Sequence, residues 1–256
     1  MRRFALVLLL AAAVLSGCGP QAERGVLYQT STINALLEGL YDGTVTLAEL
    51  QRHGDFGIGT FDALDGELVL LNGVAYQVRA DGKVYRPGPE TTTPFASVTF
   101  FWPERVAVMD GALDLAEIEA LLDRTAPAKN IPVAVRISGT FKTMKTRSVP
   151  RQIKPYPRLV DVTARQPVFD LKDVRGTIVG FRLPEYVKGL NVTGWHLHFV
   201  TDDRTAGGHV LALETEKVRV ELAEVPALYV SLPQGGAFGR ADISKDKTAE
   251  INRVEK

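Results

Sequence analysis

Between residues 57 and 86 the chain alternates short apolar runs with turn signals. "GIGTFDAL", "ELVLL", "VAYQVRA" and "KVYRP" are separated by Asp65-Gly66, Asn72-Gly73 and Asp81-Gly82. Asx-Gly between apolar runs predicts tight turns, because both residues tolerate positive φ, so this stretch is expected to be an antiparallel meander. Upstream, "TSTINALLEGLYDG" has Ile33, Leu36, Leu37 and Leu40 at helical spacing. That spacing predicts a helix capped by Thr30 or Ser31 and ended by Gly43. "TLAELQRHG" predicts a second short helix capped by Thr46, and "DLAEIEALLDRT" a third capped by Asp114. "FASVTFFWP", "IPVAVRISGTF", "LVDVTARQPVFDL", "RGTIVGFRLP", "GWHLHFV" and "HVLALETEKVRVEL" all have the apolar content of strands. Residues 142–158 hold six basic residues, three prolines and no acid, which predicts a long loop. The last 25 residues read as "LPQGGAFGR" and a charged tail. The expected fold is α+β and strand-rich, with mixed or antiparallel sheets and a few flanking helices. It would fall into two halves joined near 125–145.

Composition narrows the picture. The 256 residues carry no net formal charge and are 45% hydrophobic. That is enough for a sizeable core, too apolar for disorder, and too neutral for a general nucleic-acid binder. The first twenty residues stand apart. "MRRFALVLLLAAAVLSGCGP" has two arginines, an apolar run from Phe4 to Leu15, then small residues. Residues 1–17 read as a secretory signal peptide, and "LSGC" resembles the lipobox of bacterial lipoproteins. That resemblance implies cleavage before Cys18, lipid on Cys18, and a tether over 18–27. The catalytic region would then be 28–256, held outside the cytoplasm on a bacterial membrane. Cys18 is the only cysteine, so no disulfide can staple the fold.

The chain has four histidines, and three fall at 196, 198 and 209. In a strand, alternate side chains share a face, so His196 and His198 point together while Trp195, Leu197 and Phe199 point away. If residues from 209 onward return antiparallel, His209 lies beside His198 and three imidazoles converge on a β-hairpin. Zinc favours four ligands, so three neutral imidazoles would hold it with a position open for water or substrate. His53, near a helix end, reads as a cap or an exposed residue. Asp202 and Asp203 read as turn residues, with acceptors for ligand N–H groups as the alternative. "GDFGIGTF" lacks the lysine and spacing of a phosphate-binding loop. Spacing alone leaves several readings open: a zinc lyase, another tri-histidine metalloenzyme such as a hydratase or cupin-like oxygenase, or a lipoprotein that binds a metal or anion.

Four blocks, in order, carry a resemblance that chooses among them: "GDFGIGTFDALDGELVLLNGVAYQ", "KTRSVPRQIKPYP", "RGTIVGFRLPEYVKGLNVTG" and "GWHLHFVTDDRTAGGHVL". Together they resemble the alpha-acetolactate decarboxylase family over roughly residues 26–256. The resemblance implies decarboxylation of 2-acetolactate to acetoin at a zinc ion held by His196, His198 and His209. It implies catalytic roles for Glu67 and Arg147, with Thr60 and Arg147 lining the substrate pocket. A tail glutamate also belongs to such a site; Glu255 fits best, with Glu250 as the alternative. A homodimer is also implied; the charge balance and the expected location outside the cytoplasm argue against a nucleic-acid partner. The chemistry is consistent with these residue types. Loss of CO₂ leaves an electron pair that the adjacent ketone accepts as an enediolate, which a metal can stabilise. An arginine fork suits a carboxylate, and a buried glutamate can return a proton to carbon. Two departures stand out. Trp195 occupies a position where a smaller aromatic is expected, and a lipobox is not a general feature of the family.

Overall fold

The computed structural model describes residues 24–255. The expected signal peptide and lipobox, with Cys18, lie outside them. Fourteen strands are numbered along the described chain. The first eight are β1 (Val26–Thr30), β2 (Val45–Thr46), β3 (Phe56–Thr60), β4 (Glu67–Leu71), β5 (Val74–Val78), β6 (Val84–Tyr85), β7 (Thr92–Thr93) and β8 (Ala96–Thr99). The rest are β9 (Arg105–Asp110), β10 (Val133–Arg147), β11 (Val168–Leu183), β12 (Gly194–Thr201), β13 (Gly207–Glu224) and β14 (Ala227–Ser231). Helices are α1 (Ile33–Leu37), α2 (Leu47–Leu50), α3 (Leu115–Thr125), α4 (Leu159–Thr163) and α5 (Thr248–Glu255).

Two large sheets organise twelve of these strands, and β2 and β7 form a small antiparallel pair. The seven-stranded sheet runs β14-β1-β8-β3-β4-β5-β6, with β14 parallel to β1 and the other pairs antiparallel. Its β3-β4-β5-β6 run is the expected meander. Asn72 and Gly73 both have positive φ, as a two-residue hairpin turn requires. The five-stranded sheet runs β10-β11-β12-β13-β9, and β10 also pairs with β13, so four strands close into a ring. A core cluster including Phe56, Ile58, Val69, Phe181 and Val200 joins residues of both sheets. The fold is therefore α+β with mixed sheets, as expected.

Several local expectations are corrected. The tether cannot reach residue 27, because Val26 and Leu27 already belong to β1 and Leu27 is fully buried. Helix α1 is capped by Thr32, whose side chain accepts from Ala35 N–H; Thr30 still belongs to β1. It ends at Glu38, not Gly43. The caps at Thr46 and Asp114 are as expected, and Glu117 completes a capping box on α3. The predicted basic loop begins late. Lys142–Arg147 continues β10, because both edges of the strand are paired and proline first appears at Pro150. Leu159–Thr163 is a short helix rather than a strand; Leu159 and Val162 join the cluster around α1 and α5. The charged tail contains α5, which buries Ile251 and Val254 three residues apart. The sheets change over between β8 and β9, and β14 returns to the first sheet.

Candidate metal centre

β12 and β13 pair antiparallel with His198 opposite His209. The strand period puts His196 on the same face as His198. One nitrogen from each of the three imidazoles lies within 4.8 Å of those from the other two. His198 and His209 are buried, and His196 is nearly so. The ring tautomers follow from their partners. His198 Nδ1–H donates to the Leu68 carbonyl at 2.8 Å, leaving the Nε2 lone pair free. His209 Nε2 lies 3.3 Å from the Glu255 carbonyl, while its Nδ1 is buried without a hydrogen-bond partner. Burial pushes the His196 pKa down to about 3, with the Arg147 charge acting in the same direction. Burial also holds His198 and His209 well below the usual histidine range. All three rings are therefore neutral lone-pair donors near pH 7.

Two carboxylates and one guanidinium complete the pocket. Glu67 begins β4 after the Asp65-Gly66 turn, and its Oε2 lies 3.6 Å from His198 Nε2. Glu255 ends α5, and its Oε2 lies 3.4 Å from His196 Nε2 and 3.6 Å from His209 Nδ1. Arg147, the last residue of β10, sits between them. It donates to Glu67 Oε1 at 3.1 Å, to the Val254 carbonyl at 2.7 Å and to Glu255 Oε2 at 3.3 Å. Burial pushes the pKa of both Glu67 and Glu255 up to about 7 against the opposing pull of Arg147; for Glu67 the Glu255 charge adds to the rise. Each carboxyl can therefore hold or release a proton near neutral pH.

The structure thus brings His196, His198, His209, Glu67, Arg147, Glu255 and Thr60 to one pocket. The Thr60 hydroxyl donates to the Gly66 carbonyl at 2.7 Å, so its proton is committed to the turn that presents Glu67. Glu250 is not at the site; it pairs with Arg158 on the surface. His53 stacks on Tyr28 and meets Glu49, far from the other histidines in the fold. Asp203 accepts from Thr201 and Thr205 inside the turn, and Asp202 pairs with Arg175, so both are turn residues. Sequence reasoning missed the apolar wall: Ile33, Leu36, Leu64, Phe95, Val149 and Leu159. Nothing in their local pattern separates them from ordinary core. Gly59 was missed too. A Cβ there would lie 2.4 Å from the Phe95 carbonyl, so the close approach of β3 to β8 beside the pocket requires glycine.

A buried cluster of lone-pair nitrogens, two proton-holding carboxyls and an arginine defines an enzyme site, and comparison with known proteins places it among the carboxy-lyases. The sequence model of the alpha-acetolactate decarboxylase family matches residues 27–245. The alpha-acetolactate decarboxylase of Methanosarcina mazei is 48% identical over 231 residues, covering 90% of this chain and 80% of its own length. That of Klebsiella aerogenes is 42% identical over 242 residues, covering 94% of this chain and 93% of its own. The crystal structure of alpha-acetolactate decarboxylase from Bacillus subtilis strain 168 superposes with a TM-score of 0.88 at 38% identity, covering 90% of this chain and 99% of that one. This chain belongs to the alpha-acetolactate decarboxylase family.

Proposed function

We propose that the chain converts 2-acetolactate to acetoin and CO₂, with a zinc ion held by His196, His198 and His209. The observation that carries the reading is the meeting of three neutral imidazoles, two carboxyls and one arginine in a single buried pocket. The donor set fits a divalent ion: the His209 Nδ1 lone pair is buried without a partner, and His196 and His198 bring their Nε2 atoms to 3.2 Å. When bound, zinc supplies Lewis-acid stabilisation of the negative charge that builds on substrate oxygen.

The remaining chemistry belongs to the chain's own residues. Arg147 is a fixed positive fork that orients an anionic substrate between Glu67 and Glu255. The bond from the substrate's tertiary carbon to its carboxylate breaks, and the electron pair is delocalised into the neighbouring ketone as an enediolate. Glu67, protonated at its carboxyl, returns a proton to that carbon and is left as carboxylate; solvent then reprotonates it. Glu255 takes part from the opposite wall, holding Arg147 and the open side of the imidazole cluster. Delivery from a fixed position protonates one face, so the product is a single enantiomer. The apolar wall excludes water and keeps both carboxyl pKa values high.

Metal analysis of the purified protein, paired with an acetoin assay on racemic acetolactate, tests the reading. Wild type is expected to bind zinc stoichiometrically and release acetoin; His196→Ala is expected to lose both. A protein that carries iron and leaves acetolactate untouched, or one that binds acetolactate without turnover, would overturn it. The signal-like N-terminus supports a lipid on Cys18 and a location outside the cytoplasm, and the family resemblance supports a homodimer.

A further inference from the structure

Beside the point where the described chain starts lies an exposed apolar strip. Trp102 is 50% exposed, Val106 49% and Val108 63%. Pro103 and Ala107 are exposed as well. Strand β9 is the edge of the five-stranded sheet, and among the described residues it pairs only with β13. Val106 and Val108 share its outward face, while Met109 packs on the core. A chain of contacts runs from that face to the residue before Trp102. Val106 lies opposite Glu221, Glu221 pairs with Arg136 at 2.7 Å, and Arg136 stacks over Phe101, the neighbour of Trp102. Arg24 lies 4.2 Å over the Trp102 ring. Arg219 stands opposite Val108 and lies 3.4 Å from Glu221 Oε1, with half its side chain exposed. Glu104 is exposed between Trp102 and Val106, Glu221 is held by Arg136 and Arg219, and Asp110 lies 3.5 Å from Lys217.

Cys18 precedes Arg24 by six residues. Fully extended, six residues span at most about 20 Å. A lipid on Cys18 therefore keeps the backbone of Arg24, whose side chain lies over Trp102, within about 20 Å of the bilayer surface. We propose that Trp102, Val106 and Val108 form a docking face that lies against the membrane holding the N-terminal lipid. The proposal rests on the reading that Cys18 is lipidated. Tryptophan seats its amphipathic ring at the headgroup level, and small apolar side chains beside it reach the acyl boundary. Arg24 and Arg219 meet anionic phosphates, and the free backbone edge of β9 stays in the hydrated headgroup layer, where its polar groups keep water partners. The lipid and the strip together make a two-point attachment that fixes the orientation of the domain.

Trp102 and Trp195 are the two tryptophans of the chain. In full-length Trp195→Phe, emission therefore reports on Trp102 alone. The protein is produced in a bacterium and reconstituted in vesicles of phosphatidylethanolamine and phosphatidylglycerol at a ratio of about three to one, with and without dibrominated phosphatidylcholine. Bromolipid is expected to lower the emission about two-fold, and Val106→Ser/Val108→Ser is expected to reverse most of that quenching. Anchored protein whose emission ignores bromolipid but is quenched freely by aqueous acrylamide overturns the docking face. Shielding from both quenchers points instead to a second protein on the strip, and overturns it equally. A chain that stays soluble, with Cys18→Ser behaving identically, overturns the lipid anchor itself and the docking face with it.

Discussion

Arg147 is 4% exposed, and its guanidinium serves three acceptors on two other elements: Glu67, the Val254 carbonyl and Glu255. Only a planar fork with several donors spans that set; an ammonium is a compact point charge on a flexible stem. Arg147→Lys is therefore expected to lower kcat/KM by about 10² or more while the three histidines still bind metal. Steady-state kinetics alongside metal content checks this, and a variant within a few-fold of wild type would remove Arg147 from the site. Glu67 makes the complementary case. Its carboxyl titrates near 7 because burial and the Glu255 charge outweigh the pull of Arg147. Glu67→Gln keeps the shape and removes the transferable proton. The rate is expected to fall about 10²–10⁴-fold. Chiral chromatography of the residual acetoin should show a loss of enantiomeric purity. Undiminished rate and stereochemistry would show that another group is the donor.

At the scale of elements, α5 shows how a short helix can be essential to a distant sheet. It has eight residues, too few to be stable alone in water, so its docking depends on tertiary contacts. Ile251 and Val254 pack it into the cluster formed with α1 and α4, and Arg147 holds its last turn. Ile251→Ala is expected to weaken that docking by about 2–4 kcal/mol. The result should be faster amide exchange over 248–255 and lower turnover, with the two sheets intact. Unchanged exchange over α5 would show that Arg147 alone holds the helix. The same element marks where the sequence became hard to read. The β12–β13 hairpin was legible because "WHLHF" alternates with period 2 and Gly207-Gly208 marks the reversal, so the convergence of three imidazoles followed from spacing alone. The meander was legible from its Asx-Gly turns. α5 read as a charged tail because it offers only two apolar residues to a helical stripe. The end of β10 read as loop because its lysines and threonines obscure the alternation, and its pairing with β11 and β13 involves partners 21 to 71 residues away. Leu159–Thr163 is β-branched at three of five positions and is helical only because α1 and α5 offer it an apolar seat.

For the whole molecule, the pocket is where distant parts of the chain meet: imidazoles from the five-stranded sheet, Glu67 from the seven-stranded sheet, Glu255 from the C-terminal helix. Such a site exists only in the folded state, so its titrations are linked to global stability. In metal-free protein the three histidines bind protons more weakly when folded than the usual 6.5 of an unfolded chain. Below pH 6.5 the unfolded state therefore takes up the extra protons, and acid favours unfolding. Glu67 and Glu255 act in the opposite sense: folded at about 7 against 4.5 unfolded, they hold protons in the native state between those values. Between pH 6.5 and 4.5, three imidazoles outweigh two carboxyls by one proton, so stability declines gently. Below 4.5 the carboxyls are protonated in both states, and the imidazoles alone steepen the decline toward pH 3. Thermal melts of chelator-treated protein are expected to show a shallow fall in Tm from pH 6.5 to 4.5 and a steep one below. Bound metal requires the same neutral imidazoles, so holoprotein is expected to melt higher than chelator-treated protein at pH 7, with the gap closing on acidification. A chelator-treated Tm that rises from pH 6.5 to 4.5 and stays flat below would mean that the three histidines ionise in the folded protein as they do in the unfolded chain, and the dry, lone-pair-rich pocket would be wrong.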